Sequence, residues 1–209
     1  LGRFPYSWLR PDAPPARFGD KASISRDYLP MDYLADMGPL TLAGSVHVQA
    51  NCGAEDPVDE TRWLQSLADR TGWPSAAVAE VDLTGPDAIG QIERHRAVPI
   101  LRGVRTPVAW DEAGRWRVAS RPRVLSDVAF EEAARHLAGV GLCLEMVIVP
   151  EQMTEVAQFA DRHPGLTIVI NHFGTLEPDQ PGNLADWQGG IAMLAARSNV
   201  YLKLSGLWT

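Results

Sequence analysis

Residues 142–174 read LCLEMVIVPEQMTEVAQFADRHPGLTIVINHFG, and this stretch decides the fold. An apolar run at 142–149 is followed by Pro150, then by Met153, Val156, Ala157 and Ala160 at i, i+3, i+4 and i+7, then by Gly165 and a second apolar run at 167–171. A short continuous run suits a strand buried on both faces, and a stripe repeating every 3.6 residues suits a helix lying on a sheet. Together they spell one βαβ unit.

The rhythm continues in both directions. Strands are predicted at 41–50, 75–83, 99–105, 142–149, 167–171 and 200–205, which makes an α/β fold with a parallel sheet. Between them, Asp56 and Pro57 precede a helical pattern at 58–70, one offering an N-cap side chain and the other a φ already suited to a helix. Leu184, Trp187, Ile191, Leu194 and Ala195 form a second sheet-facing stripe. Gly72, Gly139, Gly141 and Gly165 fall where helical patterns give way to strands, positions that favour positive φ.

Two stretches interrupt the alternation. Residues 1–40 carry Pro5, Pro11, Pro14, Pro15 and Pro30 with Tyr6, Trp8, Phe18 and Tyr28 among them, and are expected to form an ordered loop. Residues 106–126 are long for a connection in a compact domain and are a candidate functional loop. That loop holds Arg115, Arg117, Arg121 and Arg123 beside Trp110 and Trp116. Guanidinium groups grip carboxylates and an aromatic wall suits a ring, so an anionic or polyhydroxylated small molecule is one reading; a solvated loop with scattered charges is the other.

Composition narrows the partners. With 45% hydrophobic and 22% charged residues over 209 positions the chain reads as one globular domain. A formal charge of -7 argues against nucleic acid or an anionic membrane as partner, no apolar run approaches a membrane span, and a small molecule is expected instead. Whether the chain forms a homo-oligomer is left open. Cys52 and Cys143 are too few for a disulfide scaffold and read as reduced structural thiols. The first ten residues lack a basic stretch followed by an apolar one, so a cytoplasmic location is expected.

In a closed parallel sheet alternate side chains point to the lumen, and chemistry collects where strands end. By parity Ser45, His47 and Gln49 are expected inward, as are Gly103 and Arg105, Cys143 and Glu145, Ile170 and His172, and Lys203 and Ser205, with Glu80 and Asp82 as further candidates. His172 has the greatest weight, because an imidazole at a strand end can bind a metal, donate to a carbonyl or shuttle a proton. His95, His136 and His163 fall in or beside helical patterns and are expected at the surface. Lys203 and Glu145 have a plain structural reading too, each neutralising the other.

Several strings in this order resemble the amidohydrolase-related family that includes sugar lactonases and 2-pyrone-4,6-dicarboxylate lactonase. They are residues 4–10, 26–34, 46–50 (VHVQA), 101–105 (LRGVR), 170–174 (INHFG) and 202–206 (LKLSG), spread over nearly the whole chain. The resemblance implies a (β/α)8 TIM barrel of which the six runs are strands two to seven, with residues 1–40 as the region between strands one and two of a single incomplete domain. It implies a hydrolase that opens a small lactone, with His172 as the catalytic group and a tentative metal ligand and Arg105 at the substrate; Gln49, His47, Glu145, Asn171, Lys203 and Ser205 are expected at the substrate from their places along the strands. A divalent metal, zinc or similar, is compatible with the family, as is a metal-independent reaction. The family's His-x-His pair on a first strand and aspartate on an eighth are absent from these 209 residues, so the chain by itself is expected to be inactive. A metal-dependent decarboxylase of an aromatic acid and a non-catalytic sugar-acid-binding barrel are the rival readings.

Overall fold

The computed structural model describes residues 3–14, 20–176 and 183–206. Six strands follow one another across a sheet in chain order: β1 (Val46–Val48), β2 (Ala76–Glu80), β3 (Leu101–Pro107), β4 (Cys143–Val147), β5 (Ile168–Ile170) and β6 (Val200–Leu202). The helices are α1 (Pro30–Met37), α2 (Val58–Thr71), α3 (Ala88–Arg96), α4 (Val128–Val140), α5 (Met153–Arg162) and α6 (Asn183–Ala195). The chain divides into two compact units, Leu1–Glu80 with Glu93–Arg102 and Val81–Ile92 with Gly103–Thr209.

In the first unit β1 and β2 pair in parallel with His47 opposite Ala77 and Val48 opposite Val78. Ala77 packs with Val58 and Leu64 of α2 and with Val98 and Ile100, and Trp63 and Ala68 close the cluster. Residues in register share a face, so His47 lies on the α2 side of the sheet, and the expected lumen parity of β1 is reversed. The start of α2 follows the sequence signal, since the Val58 amide donates to the Asp56 carboxylate at 3.2 Å. The expected loop at 1–40 contains a helix instead. Pro30 opens α1 and Asp32 accepts the Leu29 amide at 2.8 Å, a capping signal hidden by the prolines around it. Pro15 and Phe18 lie outside the described residues.

In the second unit β3, β4, β5 and β6 pair in parallel in that order. Register places Arg105 opposite Glu145, Glu145 opposite Val169, and Val169 opposite Tyr201. The other face carries Val104, Leu144, Met146, Ile168 and Ile170, all fully buried. Ile170 therefore shares a face with Met146 and Leu202 rather than with Glu145, and the expectation that it points inward is overturned by one residue of register. Below this face Phe130 of α4 and Phe159 of α5 meet edge to face at 5.6 Å.

The stripe of α5 is buried as its period requires, Met153, Val156, Ala157 and Ala160 being at most 1% exposed. The stripe of α6 is only partly so. Leu194 is buried, Leu184 and Ala195 are exposed, and the closest approach is made at Gly190, where a Cβ would stand 2.2 Å from the Met153 sulfur. A bare backbone lets α6 come near α5, and a hydrophobic period cannot register a glycine contact.

Candidate functional site

The charged face of the second unit converges where β4, β5 and β6 end. Glu145, 3% exposed, receives the Lys203 ammonium at 2.5 Å and the Asn171 amide at 3.1 Å, both on Oε2. An isolated carboxylate at this depth would be costly, and these two donors offset that cost. Asn171 is 1% exposed, and its Oδ1 has no hydrogen-bond partner.

His172 reaches this cluster by a backbone turn and not by strand parity. Asn171 continues the alternation from Val169, and then His172, Phe173, Gly174 and Thr175 all take positive φ, between 52° and 66°. Three of these four carry side chains, and each such residue costs of order 1–3 kcal/mol, so the turn persists only because its surroundings hold it. The holders can be named. The Phe173 amide donates to the Lys203 carbonyl at 3.2 Å, the Thr175 amide to the His172 carbonyl at 2.8 Å, and the Trp187 indole of α6 to the Phe173 carbonyl at 2.6 Å.

The imidazole is fixed from the segment that follows β6. Its Nδ1 is 3.0 Å from the Ser205 hydroxyl, and a Cβ on Gly206, itself at φ 71°, would fall 2.8–3.1 Å from three atoms of His172. Burial comes first in holding this imidazole below its ordinary value of 6.5, followed by the Arg105 and Lys203 cations, with Glu145 opposing them. The ring is thus neutral at pH 7. With Ser205 donating to Nδ1, Nε2 carries the proton and is a donor; with the opposite tautomer Nε2 is a base.

The other expected residues go elsewhere. In the first unit His47 Nε2 stands 3.4 Å from the buried carboxylate of Glu60 on α2. Gln49 is buried and accepts the Asn51 amide at 2.8 Å, shaping the turn after β1. Asp82 is exposed and caps its own turn through Thr84. His95 and His163 are buried rather than exposed. His95 takes the Thr61 hydroxyl at 2.8 Å, and His163 the Glu131 carboxylate at 2.5 Å, so a polar partner inside the fold brings each ring in.

Arg115, Arg117 and Arg121 of the long loop are engaged locally. Arg115 binds the buried Asp111 at 3.0 Å, Arg117 lies over the Trp110 ring at 4.4 Å, and Arg121 pairs with Asp127. Cys52 and Cys143 are free thiols. Burial pushes Cys52 up to about 11, and burial and then Glu145 raise Cys143, which suits structural roles. Trp187 and Gly206 were not among the candidates. A glycine directly after Ser205 is the one local hint; the indole gives none.

A metal set does not emerge from these residues. Among the described residues no three His, Cys, Asp or Glu side chains converge as a metal site requires. At this rim His172 contributes one nitrogen, and the nearby carboxylate is already bound to an ammonium.

Parallel strands in chain order, alternating with helices, define a partial (β/α)8 barrel, the second unit gathering polar side chains at the C-terminal ends of its strands. The chain belongs to the Amidohydrolase family, whose pattern it matches over residues 8–209. It is 31% identical over 202 residues to an uncharacterized protein of Sinorhizobium fredii, covering 97% of this chain and 68% of that one. It is also 31% identical over 188 residues to an L-fucono-1,5-lactonase of Burkholderia ambifaria, covering 90% of this chain and 60% of that one. Among solved structures, an amidohydrolase of Burkholderia multivorans with bound zinc superposes with a TM-score of 0.74 at 26% identity, covering 97% of this chain and 64% of that one. A probable 2-pyrone-4,6-dicarboxylic acid hydrolase of Acinetobacter baumannii shares the fold at a TM-score of 0.64 and 16% identity, over 87% of this chain and 62% of that one. The chain thus spans about 60–68% of the length of these relatives. Among the described residues no helix is long and apolar enough to cross a membrane.

Proposed function

We propose that the protein hydrolyses a small lactone, adding water across the cyclic ester to give the open hydroxy acid. The observation that carries this reading is the neutral imidazole of His172, locked at a strand end by Ser205 and flanked by Arg105 and Lys203. With the Ser205 hydroxyl donating to Nδ1, Nε2–H donates to the carbonyl oxygen of the lactone and stabilises the charge that grows there on attack by water. Arg105 and Lys203 hold a carboxylate or hydroxyl group of the substrate. Similarity to an L-fucono-1,5-lactonase supports a sugar lactone as the substrate class.

Glu145 is not the base in this scheme, because Lys203 and Asn171 both occupy Oε2. Residues 1–209 assayed by themselves are therefore expected to be inactive. The test uses the polypeptide encoded by the whole reading frame that contains them, on a panel of aldonolactones and 2-pyrone-4,6-dicarboxylate. His172→Asn is expected to lower kcat by about 100-fold or more, as loss of an oxyanion donor does. Wild-type turnover by that variant removes His172 from the mechanism, and release of carbon dioxide from an aromatic acid in place of lactone opening replaces the reaction class. The acid limb of wild-type activity is expected to lie below pH 6.5, since burial and the neighbouring cations hold His172 below its ordinary value.

A further inference from the structure

The left-handed turn at 172–175 has supports on two sides. On one side the segment after β6 supplies the Lys203 carbonyl, the Ser205 hydroxyl and the bare Cα of Gly206. On the other, α6 supplies the Trp187 indole N–H, which donates to the Phe173 carbonyl at 2.6 Å. The Phe173 carbonyl belongs to the peptide joining Phe173 to Gly174, so its direction fixes the ψ of Phe173, the residue directly after His172. Gly174 is pressed from the same direction, for a Cβ there would lie 2.5 Å from the Met153 methyl. The Phe173 carbonyl accepts no other hydrogen bond among the backbone contacts of the described residues.

We propose that Trp187 is a positioning residue for His172, holding the strained turn so that the imidazole stays on Ser205. It touches neither substrate nor the reacting atoms. Its indole N–H restrains a backbone whose positive φ values would otherwise relax toward the right-handed region, and relaxation would swing the ring away from the Ser205 hydroxyl. The assignment of a catalytic role to His172 enters only the kinetic arm of the test.

The decisive variant is Trp187→Phe, which keeps an aromatic ring and deletes the donor. The readout is the pair of ring nitrogen signals of His172 by NMR at pH 8, where the imidazole is neutral. One fixed tautomer is expected in the wild type, and averaged or doubled signals in the variant. His163, held by Glu131 elsewhere in the same unit, is the internal reference and is expected to stay unchanged. Trp187→His, which restores a ring N–H, is expected to recover a single tautomer at least in part and covers the case in which the Phe variant folds poorly. In the polypeptide of the whole reading frame, Trp187→Phe is expected to lower kcat on the order of 10- to 100-fold with KM within about twofold, the pattern of a misplaced catalytic group. Unchanged His172 signals overturn the proposal, and so do changes shared equally by His163, which would mark a general loosening. If the NMR arm succeeds while no lactone is turned over, Trp187 stands and the lactonase reading falls.

Discussion

His47 lies within one short parallel strand and His172 just beyond the end of another, each beside a buried carboxylate in its own unit, and the two are put to different uses. His47 obeys the strand alternation and is carried onto the helix side, 3.4 Å from Glu60 on α2. His172 breaks the alternation: four residues at positive φ turn its ring back toward Ser205, near Arg105, Lys203 and Glu145. Strand parity alone therefore does not say where a terminal side chain goes. The residue that leaves the alternation at some cost in backbone strain is the one supplied with a hydroxyl for its ring nitrogen.

The first unit holds a second histidine that sharpens this contrast. His95 is fully buried on Thr61, and burial, with Arg94 assisting against Asp56, lowers it from 6.5 to about 4. In the window between those values the unfolded chain binds a proton that the folded chain refuses. Stability from this group is then complete above pH 6.5 and declines as pH falls toward 4, by roughly 3 kcal/mol. His95→Gln is expected to flatten that acid limb in denaturant titrations followed across pH 4–7. An unchanged slope would mean that the buried ring is not the source of the acid sensitivity and that the first unit's histidines are not simply structural.

A smaller effect is expected where the second unit gathers its charges. Lys203→Met leaves the Glu145 carboxylate, 4% exposed at its side chain, with the Asn171 amide but without the Lys203 ammonium. Breaking a buried pair is strongly destabilising in general, but Lys203 is 30% exposed and water screens it, so a loss of about 2 kcal/mol is expected in urea unfolding. Adding Glu145→Gln is expected to restore most of that loss, since the unpaired charge is then gone. Failure of the double variant to recover would show that the loss does not come from an unpaired Glu145 charge.

Much of the fold was legible because its signals are periodic. The stripe from Met153 to Ala160 and the six apolar runs repeat a spacing that only helices lying on parallel strands satisfy, and the observed strands lie within the expected runs apart from Thr106 and Pro107 at the end of β3. What escaped reading depends on contacts between distant residues. Gly190 meeting Met153, Asp32 capping Leu29 and Thr61 drawing His95 inward leave no trace in a hydrophobic period. At the candidate site, Glu145 and Lys203 were visible as same-parity charges, and the structure brings them together with Asn171. The route by which His172 joins them was not, because positive φ at a histidine and a phenylalanine has no compositional mark and the indole that holds it lies 14 residues on.

The smallest effect tests the contrast itself. His47→Gln replaces a ring whose closest approach to Glu60, at 3.4 Å, is longer than a good charge-assisted hydrogen bond. Its side chain is 29% exposed, so the amide loses little packing, and a change in stability of under about 1 kcal/mol is expected. In the polypeptide of the whole reading frame the same variant is expected to leave kcat and KM for a lactone close to wild type, whereas His172→Asn is expected to lower kcat by about 100-fold or more. A loss of activity at position 47 comparable to that at 172 would show that the face of the sheet on which a histidine lies does not separate structural from catalytic use. His47 would then return to the substrate-binding role its place in VHVQA first implied.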